Sequence, residues 1–252
     1  MANELEGKVA VVTGGAVGIG RGIALDFAAA GADVAITWVS HETEGKETVA
    51  AIEALGRRAL GMALDATSSA DVDRFFTAVV DGLGRLDICV NNAGGLVGRV
   101  PLPEMSDAHW DAVIALNLTS AFYCTRAALA RMAEDGRIVN VASVAALNGG
   151  GPGAAAYAAA KAGMCGFTRG VVREASPKRI TVNAVAPGLI LDTPFHPNFT
   201  PPEDQQASIR ATPLGRPGYP ADVASAVSWL CSPGAGWVTG ETINISGGSY
   251  LA

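Results

Sequence analysis

The sequence is short of what several functions require. Lys and Arg number 18 against 24 Asp and Glu, for a net charge of −6, and no basic cluster stands out. A protein held on nucleic acid through phosphates needs a basic footprint, so no nucleic-acid partner is expected. A small anionic ligand gripped by backbone N–H groups stays open. Three histidines (His41, His109, His196) and four cysteines (Cys89, Cys124, Cys165, Cys231) are scattered without HxxxH or CxxC spacing. No metal site is expected, and the thiols read as small buried hydrophobes. The opening MANELEGKVAVV lacks a cationic stretch followed by an apolar one, so no secretory leader is expected. The most apolar long window, 141–160, is broken by NGGGPG, which argues against a membrane span. A cytoplasmic protein without a membrane partner is the expectation.

What the chain does have is a core. Hydrophobic residues make up 49% of its 252 positions and charged ones 17%. Seven short runs, KVAVVT (8–13), DVAITW (33–38), RALGMALD (58–65), LDICVN (86–91), GRIVNVAS (136–143), ITVNAVAP (180–187) and ETINIS (241–246), are rich in Val and Ile. They are mostly free of charge, as strands buried on both faces should be. Helix-length segments lie between them, at 18–30, 42–55, 69–83, 106–132, 153–175 and 220–231, with Gly31 a stop and Ser106 an N-cap. Strand–helix alternation of this kind predicts an α/β fold, a doubly wound parallel sheet with helices on both faces. No linker interrupts the pattern, so residues 1–252 read as one domain. Residues 189–220 carry many prolines and little periodicity, and an insertion of that length at a strand end predicts a substrate-side lid.

Four short motifs carry chemistry. TGGAVGIG (13–20) follows the first strand and opens a helix, with Gly14, Gly18 and Gly20 spaced for a tight turn and a close backbone approach to a pyrophosphate. Taken singly, the pattern would equally suit a structural turn. NNAG (91–94) ends the fourth strand, YAAAK (157–161) lies on a helix and PG (187–188) ends the sixth strand. Tyr157 and Lys161 are four residues apart and so project from one helix face. A nearby cation favours phenolate, and the surrounding alanines leave room for a flat ring. In this order the motifs resemble the short-chain dehydrogenase/reductase family, from about residue 5 to the C-terminus.

The resemblance implies a Rossmann-type fold and an oxidoreductase that moves hydride between a nicotinamide cofactor and a carbonyl or alcohol. It implies a catalytic set of Asn117, Ser143, Tyr157 and Lys161. Tyr157 would be the general acid/base, Ser143 would hold the substrate oxygen, Lys161 would tune Tyr157, and Asn117 would support a water relay. By position it also assigns cofactor contacts to Gly14, Gly18, Ile19, Gly20, Asp65, Ala66, Asn91, Ala93, Gly94, Pro187, Gly188, Ile190 and Thr193, beside Tyr157 and Lys161. The site that often carries a carboxylate in NAD-specific dinucleotide folds is here Trp38, followed by Ser40 and His41, which can hydrogen-bond a phosphate. NADP(H) is therefore favoured over NAD(H). Leu96, Ser143, Val144, Ala145, Leu189 and Phe195 would wall the substrate pocket. Their mainly apolar character points to a carbonyl or 3-oxoacyl reductase, with a sugar or polyol dehydrogenase as runner-up. A non-catalytic dinucleotide-binding regulator is the alternative of another class. The resemblance further implies a homo-oligomer, usually a tetramer.

Overall fold

The computed structural model describes residues 3–251, with side chains at all of these except 196 and 197. Seven strands form one sheet: β1 (Val9–Val12), β2 (Asp33–Trp38), β3 (Ala59–Ala63), β4 (Ile88–Asn91), β5 (Arg137–Val141), β6 (Thr181–Pro187) and β7 (Thr242–Ile245). Each lies inside one of the seven runs read from the sequence. The order is β3-β2-β1-β4-β5-β6-β7 and every pairing is parallel. β1 pairs with both β2 and β4, so the winding reverses between β1 and β4 and opens a crevice at their carboxyl ends.

The helices are α1 (Gly18–Ala29), α2 (Glu42–Ala54), α3 (Ser69–Leu83), α4 (Asp107–Ile114), α5 (Ser120–Arg131), α6 (Ala145–Asn148), α7 (Ala155–Ala175), α8 (Phe195–Phe199), α9 (Pro202–Ala211) and α10 (Pro220–Cys231). Alternate side chains of β1 separate into two cores. Ala10 and Val12 pack with Ile23 and Phe27 of α1 and Val223 and Val227 of α10. Val9 and Val11 pack with Phe75, Phe76 and Val79 of α3, Ala128 of α5 and Val171 of α7. That is the period-2 geometry of a strand covered on both faces, and it explains why these strands show no polar alternation.

The punctuation follows local chemistry. Ser68 and Ser106 cap α3 and α4 by accepting the N–H of Asp71 and His109. Gly31, just beyond α1, takes a φ of +102°. Two sequence expectations need correction. The 106–132 run is not one α-helix, because a π-helical turn, Ala115–Thr119, separates α4 from α5. The 189–220 segment is not without helices: α8 and α9 lie inside it, and Pro202 occupies the first turn of α9. By length and composition alone Asp107–Arg131 could cross a membrane. In the fold, Cys124, Ala127 and Ala128 of that stretch are packed into the core beneath the sheet.

Candidate active site

A cleft of about 1260 Å³ runs along the carboxyl ends of β1, β2, β4, β5 and β6. Its floor on the β1 side is the glycine loop, which is stapled from three directions. Gly14 N donates to Thr37 Oγ1 at 3.2 Å, and Gly15 N to the Thr37 carbonyl at 2.9 Å. Asn92 Nδ2 donates to the carbonyls of Thr13 and Gly14, at 2.9 and 3.1 Å. Thr13 Oγ1 accepts the N–H groups of Asn92 and Ala93, both at 3.0 Å. A Cβ on Gly20 would stand 2.2 Å from the Gly14 carbonyl oxygen, so no side chain fits there. Gly14 and Gly18 have φ of +65° and +55°. α1 begins at Gly18 with no side-chain cap from Val17 and no acid in its first turn. Bare N–H groups and the positive helix end thus face the cleft, a cradle that fits a pyrophosphate. Ile19 lines it as well.

At the end of β2 the structure revises the role of Trp38. Its indole is buried, wedged where a Cβ on Gly45 or Gly61 would lie 2.5 or 2.7 Å from the ring, and its Nε1 has no hydrogen-bond partner. Trp38 only borders the cleft, and the rim is formed by Val39, Ser40 and His41. Val39 is 72% exposed, and Ser40 Oγ lies 2.9 Å from His41 Nδ1. Thr37 is committed to the glycine loop. Asp65 and Ala66 line the far side, with Asp65 Oδ1 accepting both the N–H and the hydroxyl of Thr67 at 2.9 and 2.7 Å.

Asn91 does not reach the cleft. It is 3% exposed, and its Nδ2 donates inward to Asn140 Oδ1 at 2.7 Å and Thr125 Oγ1 at 2.9 Å. The residue that meets the crevice is Asn92, together with Ala93 and Gly94. On the β6 side Pro187, Gly188, Ile190 and Thr193 border the cleft.

Ser143, Tyr157 and Lys161 converge midway along it. Ser143 stands two residues past β5, and Tyr157 and Lys161 lie on the first turns of α7. Lys161 is 3% exposed, its Nζ donates to the Val141 carbonyl at 2.8 Å, and it lies 5.7 Å from the centre of the Tyr157 ring. Tyr157 keeps part of its surface open to the cleft while its hydroxyl sits deep among protein atoms. Burial pushes the phenol up to about 12, opposed by the Ser143 hydroxyl beside it. Burial also pushes the Lys161 ammonium down to about 8, partly offset by Cys165. Burial thus moves the phenol in the direction opposite to the one a cation alone would give, and the Ser143 hydroxyl works against it. A neutral phenol is the form that can donate a proton.

Asn117 sits behind the cleft wall, not on it. It belongs to the π-helical turn, is fully buried, and grips Gly95 twice, Oδ1 accepting its N–H at 3.0 Å and Nδ2 donating to its carbonyl at 2.8 Å. A Cβ on Gly94 would lie 2.7 Å from Asn117 Oδ1 and 3.1 Å from Lys161 Nζ. Gly94 thus lets the asparagine and the lysine close on one another. The π-turn aims Asn117 there, a device common at functional sites. The alanines do something other than leave clearance. Ala156, Ala158 and Ala160 are buried against the rest of the fold, and of the alanines around Tyr157 and Lys161 only Ala154 borders the cleft.

Leu96, Val144, Ala145, Leu189 and Phe195 all line the outer half of the cleft. The Phe195 ring lies 5.9 Å from the Tyr157 ring and 5.3 Å from Phe199. Sequence reasoning passed over Thr13, Asn92 and Arg99. Asn92 stands beside Asn91 in NNAG, and strand alternation is the signal that could have separated them. Among the described residues no three His, Cys, Asp or Glu side chains gather to hold a metal; the His196 side chain lies outside them.

Comparison with known proteins places the chain among enzymes. A family model described as enoyl-(acyl carrier protein) reductase matches residues 14–250. The chain is 41% identical over 249 residues to the BbsD subunit of (2S)-[(R)-hydroxy(phenyl)methyl]succinyl-CoA dehydrogenase from Thauera aromatica, covering 98% of both chains. It is 41% identical over 249 residues to the 3-oxoacyl-[acyl-carrier-protein] reductase FabG of Vibrio cholerae, covering 98% of this chain and 99% of that one. A solved short-chain dehydrogenase of Burkholderia cenocepacia J2315 in complex with NADP superposes with a TM-score of 0.92 at 36% identity, covering 98% of this chain and 99% of that one.

Proposed function

The chain belongs to the short-chain dehydrogenase/reductase family, and on that premise we propose that it reduces the ketone of a 3-oxoacyl-type or related hydrophobic carbonyl substrate with NADPH. The observation that carries this reading is a Tyr157 phenol set in the cleft between Ser143 and Lys161, beside a glycine cradle shaped for a dinucleotide.

The bound nicotinamide would supply the hydride. The free N–H groups at the start of α1, with Gly14, Gly18 and Gly20, would hold the pyrophosphate. Lys161 would reach the ribose hydroxyls, and Pro187, Gly188, Ile190 and Thr193 would bracket the ring. Ser143 orients the carbonyl oxygen of the substrate toward Tyr157. The Tyr157 hydroxyl donates its proton to that oxygen, and the ammonium of Lys161 beside it steadies the phenolate that remains. Asn117, through Gly94 and Gly95, keeps the wall at Lys161 in place and supports resupply of the proton. In the reverse direction Tyr157 takes the proton of the alcohol.

NADP(H) is preferred over NAD(H) because no carboxylate stands at the end of β2 to repel a 2′-phosphate, while Ser40 and His41 offer hydrogen bonds on the rim. The solved relative with NADP supports this preference. One relative's name gives a CoA ester and another's an acyl-carrier-protein ester, which supports a thioester over a sugar, as do the apolar walls. Residues 189–220, carrying α8 and α9, act as the substrate-side lid of the single domain. We also propose a cytoplasmic homo-oligomer, a tetramer, that uses exposed aromatics such as Phe122 and Trp237, 40% and 99% exposed. Light scattering tests the assembly. The function is tested by following nicotinamide absorbance with NADPH and NADH against acetoacetyl-CoA, simple ketones and polyols. Fast oxidation of NADPH with acetoacetyl-CoA is expected. Equal rates with NADH would overturn the cofactor preference, and turnover of polyols alone would overturn the substrate class.

A further inference from the structure

A guanidinium stands on the rim of the cleft without an acidic partner. Arg99 is exposed, lines the outer half of the cleft, and ion-pairs with no carboxylate among the described residues. Its N–H groups go to backbone carbonyls. Nε donates to Phe199 O at 2.9 Å and Nη1 to Pro152 O at 3.0 Å. The adjoining Val100 N donates to Gly153 O at 3.1 Å. Three segments distant in sequence therefore meet at one side chain: the loop after β4, the glycine-rich turn before α7, and the last residue of α8.

Two of those segments are tied directly to one another, and the third is a short helix. The loop after β4 is held by Asn117 through Gly95, and it is tied to the turn before α7 by Val100. α8 has only five residues, too few to be stable by its own hydrogen bonds. Its end carbonyls lack helical partners and carry the negative end of the helix dipole, which suits a cationic donor. From the carbonyl that Arg99 holds, ring contacts lead inward: Phe199 to Phe195 at 5.3 Å, then Phe195 to Tyr157 at 5.9 Å. A planar guanidinium can hold two carbonyls at once in fixed directions, which an ammonium cannot do as well.

We infer that Arg99 is a positioning residue that latches α8 to the fixed rim of the cleft, so that Phe195 covers the Tyr157 phenol. It acts through Phe195, its own hydrogen bonds going to the carbonyls of Phe199 and Pro152. The inference rests on the reading of Tyr157 as proton donor and of residues 189–220 as a lid. With the latch made, the substrate side is already formed before a ketone arrives, and little binding energy is lost to ordering α8.

The test uses the full chain and four variants: Arg99→Ala, Arg99→Lys, Phe195→Ala and the Arg99→Ala/Phe195→Ala double. Turnover is measured with NADPH and ethyl acetoacetate as the probe ketone. Arg99→Ala should raise KM for the ketone about tenfold, the equivalent of one good hydrogen bond to a charged group, with kcat within about threefold. The Kd for NADPH should stay within about twofold of the unmodified chain. Arg99→Lys should fall between the two. The double variant should be no worse than Phe195→Ala, since both changes break one line of contacts. Hydrogen exchange on the ligand-free protein should show residues 195–199 exchanging about tenfold faster in Arg99→Ala, with β5 and α7 unchanged. Independent, multiplying effects of the two single changes would overturn the latch, and so would unchanged exchange in α8. The exchange measurement decides the latch without turnover. Failure of the unmodified chain to reduce any ketone would count against the carbonyl-reductase reading alone.

Discussion

Replacing Asn91 by alanine should weaken the fold and leave dinucleotide binding intact. Asn91 ends β4, where its Nδ2 donates to Asn140 Oδ1 at 2.7 Å and Thr125 Oγ1 at 2.9 Å. The chain continues from Asn140 Nδ2 to Thr168 Oγ1 and from Thr168 Oγ1 to the Met164 carbonyl, both at 2.8 Å. These groups join β4 and β5 to α5 and α7, all within 3% of full burial. Alanine strands the Asn140 oxygen, an unmet acceptor worth about 1–3 kcal/mol, while the Thr125 hydroxyl can turn to another role. A small void adds about 1 kcal/mol. The total, about 3 kcal/mol, corresponds to a fall in Tm of about 6–12 °C for a domain of this size. Calorimetry measures the Tm, and titration of NADPH fluorescence well below the transition measures Kd, which should move less than about twofold. An unchanged Tm with binding weakened tenfold or more would mean that Asn91 faces the dinucleotide and that the buried network contributes nothing to the fold.

Tyr157→Phe removes the proposed proton donor and should cut turnover about a thousandfold while NADPH binding stays within a few-fold; retained turnover would refute the assigned role. Gly20→Ala places a Cβ 2.2 Å from the Gly14 oxygen, so the loop must give way, and both Tm and NADPH affinity should drop. A variant that binds NADPH normally would contradict the cradle. Lys161, held down to about 8 from an ordinary 10.5, binds its proton less well folded than unfolded. Between those two values the unfolded chain carries the extra proton, so the contribution of this group to stability rises with pH. The stability of the unmodified chain relative to Lys161→Met should therefore grow by on the order of 2 kcal/mol between about pH 7 and about pH 9.5. Denaturant melts at the two values check it, and a constant difference would show that burial does not depress the lysine.

The strands were readable because a parallel sheet covered on both faces admits little but Val, Ile, Ala and a few small polar residues, and β1 and β6 are buried along their whole length. The helix start at Ser106 was readable because a cap is a local hydrogen bond. Gly14, Gly18 and Gly20 could be picked out because a close backbone approach leaves a mark in residue type. The helices α8 and α9 were hidden by prolines, which in Pro202 begin a helix and elsewhere in the segment break the period. The π-turn was hidden because the 106–132 run keeps its helical composition through it.

What the sequence determined by itself was the order of the elements, the parallel sheet they imply, and the short list of polar residues at strand ends. These follow from local rules: period, caps, turns and the cost of a Cβ. Which way those residues face was decided by the tertiary structure. Trp38 turns under α2 because Gly45 of α2 and Gly61 of β3 leave room for an indole. Asn91 points inward because Asn140 and Thr125 wait there, and Asn92 is left to hold the glycine loop. The phenol of Tyr157 is pushed above its ordinary value because packing removes water from around it, an effect of surroundings contributed by many distant positions. Alternation along a strand says only that neighbours such as Asn91 and Asn92 face opposite ways; which of them faces the core, and how far a group is desolvated, belong to contacts between elements.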